Sequence, residues 1–186
     1  VVPPIHIRDN LQLRPNEYAI ILKGVEVAKA DVVPGHLLAI DPGTGQRGLV
    51  KGIETKEPAF GLPALWVPED AREQAQIAGY TVVDASSAIA THLSELIKRH
   101  GHELLGRQEV QVLLDEVGKS HPKLVEELIP TLLPLGTVVR VLGNLLKEGI
   151  PIRDLRSILE AISDQATNVK DADILTEYAR QSLART

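Results

Sequence analysis

Tyr80-Thr81-Val82-Val83-Asp84-Ala85-Ser86-Ser87-Ala88-Ile89-Ala90-Thr91-His92-Leu93 marks the place where the chain changes its periodicity. Tyr80 to Val83 is a short run of aromatic and β-branched residues, which favour a strand. Beyond Asp84 the apolar residues Ile89, Leu93, Leu96 and Ile97 recur at three- and four-residue spacing, the stripe of a helix. Asp84 suits the N-cap, because its carboxylate can accept from the free backbone N–H groups of the first turn. Gly101 is the expected stop.

Upstream of this junction the chain reads mainly as strands. Tyr18–Leu22 and Val25–Ala28 flank Lys23-Gly24, a two-residue turn signal. His36–Ile40 is a further strand, punctuated by Pro34-Gly35 before it and Asp41-Pro42-Gly43 after it. From Gly43 to Pro63 the chain is rich in Gly, Pro and charge, and no period emerges. Ala64–Val67 reads as a short strand, and Pro68 opens a helix over about Glu69–Ala78 that Gly79 ends. Downstream of the junction further helices are expected near Arg107–Val117, Lys123–Ile129, Leu135–Glu148, Ile152–Asp164 and Asp171–Ala184, with Gly118 and Gly149 as stops. The result is an α+β class, an α+β part followed by a run of short helices.

The bulk properties narrow the function. The 186 residues are 44% hydrophobic and 24% charged, which supports a packed core rather than a disordered chain. A net charge of −5 with no dense Lys/Arg stripe argues against a nucleic-acid partner. The absence of cysteine excludes disulfides and thiolate chemistry and fits a reducing compartment. Without methionine, Val1 is no ordinary translation start, and the sequence reads as a piece of a longer protein. The most apolar stretch, Ile129 to Leu146, is broken by Pro130, Pro134 and Arg140, so this piece is not expected to enter a membrane.

Chemical motifs are weak. Gly43-Thr44-Gly45-Gln46-Arg47-Gly48 matches a dinucleotide fingerprint, but the residues after it make a poor helix opening, so a hairpin loop is the better reading. Among the six histidines, His92, His100 and His102 lack the three- or four-residue spacing that places ligands on one helix face; partly exposed structural histidines are expected, with no metal and no cofactor. Asp84, Ser86, Ser87 and His92 hold the atoms of a hydrolase triad, yet no nucleophile elbow presents a serine, and capping accounts for Asp84. No catalytic residue is assigned. One constellation stands out. The sole Phe and sole Trp both fall within Glu57-Pro58-Ala59-Phe60-Gly61-Leu62-Pro63-Ala64-Leu65-Trp66. Trp66, in an apolar strand-like run, is expected in the core. Phe60, between Ala59 and Gly61, suits either a core plug or an anchor for a partner.

Several of these residues also carry a family likeness. Ile7-Arg8-Asp9-Asn10, Lys23-Gly24-Val25-Glu26, Pro34-Gly35-His36-Leu37-Leu38-Ala39-Ile40-Asp41-Pro42-Gly43, Glu57-Pro58-Ala59-Phe60-Gly61-Leu62, Ala90-Thr91-His92-Leu93, Gly106-Arg107-Gln108-Glu109 and Pro151-Ile152-Arg153-Asp154 resemble the cytoplasmic part of the flagellar type III export-gate protein, the FlhA family, along essentially the whole chain. The resemblance implies a bacterial inner-membrane protein whose membrane helices precede Val1, whose final compact domain follows Thr186, and whose cytoplasmic part forms a homo-nonameric ring. It implies a non-enzymatic docking platform for export chaperones carrying late flagellar substrates, beside other export-apparatus proteins. It further implies a discontinuous thioredoxin-like α+β subdomain over about residues 1–35 and 85–104, an inserted small α+β subdomain over 36–84, and an all-helical subdomain over 105–186. Chaperones would dock between the first two, at Phe60, with Glu57 as a rim group and Thr91 as a small floor residue. Glu57 stands where some members carry aspartate; it keeps the charge and moves the carboxylate outward by a methylene. The alternatives are the homologous gate of a virulence-type injectisome and, in another class, a small-ligand regulatory domain.

Overall fold

The computed structural model describes residues 4–43 and 50–184. These divide into two compact units: His6–Leu96, and a second formed by Val1–Ile5 with Ile97–Thr186. Val1 and most of the Gly43–Gly48 loop lie outside the described residues.

The first unit contains two sheets. Strands β1 (Glu17–Leu22) and β2 (Val25–Asp31) form an antiparallel hairpin. Its turn residues Lys23 and Gly24 have φ of 49° and 84°; the positive pair suits the right-handed strand twist and explains the glycine. Strands β3 (His36–Ile40), β4 (Ile53–Lys56), β5 (Pro63–Pro68) and β6 (Thr81–Asp84) form an antiparallel sheet in the order β4-β5-β3-β6. A 3-10 turn (Glu69–Ala71) and helix α1 (Arg72–Ile77) link β5 to β6.

Alternation on the central strand β3 places the core. Leu37 and Ala39 face one way, into Val67, Ala75, Ala78 and Tyr80. Leu38 faces the other way, into Ala64, Trp66 and Ala88. Leu38 is directly opposite Trp66 on β5 and Val83 on β6, so the register sets the aromatic beside the most central side chain. Trp66 is 4% exposed, as expected of a core residue.

Strand β4 has no counterpart in the sequence reading. It is an edge strand with Ile53 more than half exposed, so no apolar alternation announces it. Its entry depends on Gly52, where a Cβ would lie 2.7 Å from the Trp66 carbonyl oxygen.

Helix α2 (Ala85–Arg99) follows β6 directly. Asp84 caps it: one carboxylate oxygen accepts from the Ser87 backbone N–H at 2.7 Å and the Ser86 hydroxyl at 2.8 Å. Its buried stripe is Ala88, His92 and Leu96; of the expected stripe Leu96 is buried, while Ile89, Leu93 and Ile97 are half-buried. Gly101 begins a short helix α3 (Gly101–Leu104) rather than only ending α2.

The second unit continues with α4 (Arg107–Ser120), α5 (Pro122–Glu126), α6 (Leu135–Lys147), α7 (Leu155–Ala166) and α8 (Ala172–Leu183). Gly118 does not stop α4, which runs on to Ser120 before Pro122. After α5 the backbone leaves helical geometry at Ile129, as expected of a residue preceding Pro130. Helix α7 starts at Leu155 rather than Ile152, because Asp154 is its cap and accepts from the Ser157 backbone N–H at 3.1 Å. Asp171 caps α8 in the same way. One aliphatic cluster, centred on Val138, Val141, Leu142, Leu145, Ile158, Leu159, Ile162 and Leu175, binds these helices together, and all eight are fully buried.

Candidate docking site

The segment Glu57–Leu62 joins β4 to β5 and is held by its own backbone. The Glu57 N–H donates to the Leu62 carbonyl at 2.8 Å, and the Gly61 N–H donates to the Glu57 carbonyl at 2.8 Å. Gly61 has φ +72°, a conformation that other residues adopt only with strain.

Glu57 itself is 3% exposed and braces the loop from inside. One carboxylate oxygen accepts from the Ala59 N–H at 2.8 Å, the other from the Phe60 N–H at 2.7 Å. The side chain therefore satisfies two backbone donors and is itself satisfied, which is what lets a carboxylate remain buried. This corrects the expected rim role: the carboxylate turns into the loop. On this braced loop Phe60 is 58% exposed. Leu62, two residues on, is also exposed.

Thr91, the third expected site residue, lies exposed on α2, its hydroxyl donating to the Ser87 carbonyl at 2.9 Å. Two residues that the sequence reading did not assign tie this helix to strand β1. His92, adjacent to Thr91, is buried rather than partly exposed, and its Nδ1 lies 2.8 Å from the Tyr18 hydroxyl. The two rings pack edge to face at 5.8 Å. Tyr18 is pushed up to about 12, first by its own burial and then by the nearby Glu57 carboxylate. Strand β1 and helix α2 thus meet at the Tyr18–His92 pair, within electrostatic reach of the Glu57 carboxylate. The signal for His92 was present in the sequence only as the i+4 position between Ala88 and Leu96.

The serines near His92 have other partners: both the Ser86 and the Ser87 hydroxyls donate to Asp84. Among the described residues no group of three or more His, Cys, Asp or Glu side chains is arranged to hold a metal ion. Nor is any single helix among them long and apolar enough to cross a membrane. What the arrangement offers chemically is an apolar ring presented on a braced loop.

Fold and sequence together place the chain in the FHIPEP family, whose model it matches over residues 1–186, and it belongs to that family. Flagellar biosynthesis protein FlhA of Bacillus subtilis (strain 168) is 49% identical over 185 residues, covering 100% of this chain and 27% of that protein. The FlhA of Escherichia coli (strain K12) is 50% identical over 183 residues, covering 98% of this chain and 26% of that protein. The chain thus spans about a quarter of the length of the relatives it matches. Among solved structures, Chlamydia pneumoniae CdsV superimposes with a TM-score of 0.85 at 34% identity, over 98% of this chain and 53% of that one. CdsV in complex with CdsO gives 0.84 at 36% identity, over 97% and 56%. The nonameric EPEC SctV-C gives 0.67 at 25% identity, over 91% and 51%.

Proposed function

We propose that this chain is a docking platform on the cytoplasmic side of the bacterial flagellar type III export gate, an inner-membrane protein in full length, and that it receives export chaperones carrying their substrates. The observation that carries this reading is the Phe60 ring, 58% exposed on a loop that Glu57 fixes from within. An aromatic whose position is already set can bury area on a partner at little entropic cost. The docking element is an amphipathic segment that lays its apolar face on Phe60 and Leu62, with Thr91 as a small polar contact on α2. Glu57 acts by positioning Phe60, and Tyr18 and His92 act by holding β1 and α2 together.

The family supports a role in protein export without catalysis. The identities of 49% and 50% to FlhA, against 34% and 36% to CdsV, favour the flagellar branch over an injectisome. The nonameric SctV-C and the CdsV–CdsO complex support a homo-oligomeric ring and contacts with other export-apparatus proteins for the full-length protein. Within the first unit, the separate hairpin and four-stranded sheet support a division into a thioredoxin-like part with an inserted α+β part.

The test is calorimetric titration of a flagellar chaperone–substrate complex into the wild-type chain and into Phe60→Ala. Loss of most of the affinity with an unchanged circular dichroism spectrum is expected. Equal affinity would remove Phe60 from the interface. A thermal-shift screen against metabolites separates the small-ligand reading, since a ligand of the folded state must raise Tm.

A further inference from the structure

The helical unit carries a cleft of about 540 Å³ lined by Arg107, Leu135, Arg140, Lys170 and Asp171 among others. Its charge is the reverse of the chain's, which is −5 overall. The Arg107 guanidinium lies over the start of α6: a Cβ on Gly136 would sit 3.4 Å from its Nη2. Neither Arg107 nor Arg140 makes an ion pair or a side-chain hydrogen bond with another described residue, whereas Arg156 and Arg180 of the same unit pair with Glu160 and Glu148. The one carboxylate in the lining is already engaged: Asp171 accepts from the Asp173 and Ile174 backbone N–H groups at 2.9 and 3.1 Å. The Lys170 ammonium adds a third positive charge, held in place by the Leu132 and Ala166 carbonyls. Pro134, Leu135 and Val139 supply apolar wall in the same cleft.

We infer that this cleft is a second interaction site, for an acidic peptide segment of a partner protein that carries carboxylates interleaved with apolar side chains. Planar guanidiniums match carboxylates in a two-pronged geometry, and two of them are left without a partner among the described residues. The apolar wall of the cleft suits aliphatic side chains, which a small inorganic anion does not have. The start of α6 adds favourable potential of the same sign, because Pro134 leaves its first N–H groups without a side-chain cap. The site belongs to the helical unit and does not depend on the Phe60 reading.

The experiment is an amide NMR titration of the 186-residue chain at low salt with a synthetic hexapeptide of alternating glutamate and leucine. Its glutamine counterpart and inorganic phosphate form the other arms. Shifts confined to Leu135, Gly136, Thr137 and Ala172 with the acidic peptide alone, weakening as salt is added, are expected. Arg107→Gln with Arg140→Gln should lower the affinity about tenfold or more, since two exposed side chains change and the core does not. Arg140→Gln alone, with a smaller loss, guards against a fold effect of the pair. Shifts elsewhere, unchanged affinity in the double variant, or equal shifts with the glutamine peptide would overturn the proposal. Phosphate binding as well as the acidic peptide would do the same, by marking a small-anion site.

Discussion

The two units bury different things. In the helical unit the core is a single cluster of aliphatic side chains, and Thr176 is the buried polar side chain described there. In the α+β unit the core is split over the two faces of a sheet, and three ionisable side chains, Asp41, Glu57 and His92, lie inside. Surface character follows the opposite order. Ile7, Leu11, Ile21, Val25, Ile53, Phe60, Leu62 and Ile77 are exposed on the α+β unit, against Ile5, Val112, Ile174 and Tyr178 on the helical one. A unit that places carboxylate and imidazole inside and an aromatic outside is arranged for presentation, with part of its stability given over to holding a surface in shape. The helical unit gains more from plain burial.

The largest effect that tests this contrast is Leu142→Ala. Leu142 is fully buried in the aliphatic cluster, and its truncation should cost about 2–5 kcal/mol. Urea unfolding followed by helical circular dichroism measures it. A loss under about 1 kcal/mol would mean the cluster collapses around the cavity and is not tightly packed.

Glu57→Ala comes next. It leaves the Ala59 and Phe60 N–H groups without their acceptor, at an expected cost of about 1–3 kcal/mol. It should weaken chaperone docking as well, because Phe60 loses its fixed position. Unchanged unfolding with reduced docking would return Glu57 to the rim role.

The pH response should join the units in acid and divide them in alkali. Backbone and hydroxyl donors from Ser87 and Ser86 hold Asp84 below the usual carboxylate range, and Ser157 does the same for Asp154. Each lowered group stabilises the fold above the ordinary aspartate value, about 4, and loses that contribution as pH falls through its own lowered value. One such cap starts the first helix after the sheet and the other starts α7 of the helical unit, so acid should weaken both. At the alkaline end the asymmetry returns. Tyr18, pushed up to about 12, stabilises the α+β unit below the ordinary tyrosine value of about 10 and loses that contribution as pH rises through about 12. A tyrosinate absorbance titration should show a late step that Tyr18→Phe removes.

The smallest expected effect on stability is that of Phe60→Ala. The ring is more exposed than covered, so the change should stay within about 0.5 kcal/mol. A larger loss would show that Phe60 serves the core, the other half of the choice its sequence leaves open.

Much of the architecture was legible in the sequence because local chemistry states it. Asp84 and Asp171 mark helix starts by capping, and Lys23-Gly24 marks a turn by the positive φ it must adopt. What escaped depends on partners distant in sequence. Strand β4 exists because β5 pairs with it, and Ile53-Glu54-Thr55-Lys56 has no pattern of its own. His92 is buried because Tyr18, 74 positions away, meets its ring nitrogen. The turned loop around Phe60 was legible from Pro58, Gly61 and Pro63, but the outward position of Phe60 was not, and neither was the inward turn of Glu57, since a carboxylate two and three residues before the amides it receives has the same composition as one on a rim.

Trp66 gives the molecule an optical property. It is the sole tryptophan in the sequence, set in β5 against Leu38, Ala64 and Ala88, a few residues beyond the Phe60 loop. Light absorbed by indole alone is therefore emitted from the α+β unit, and the helical unit is dark. Any event that disturbs the strand beneath the loop can be followed by its emission, without a label and without interference from the rest of the chain.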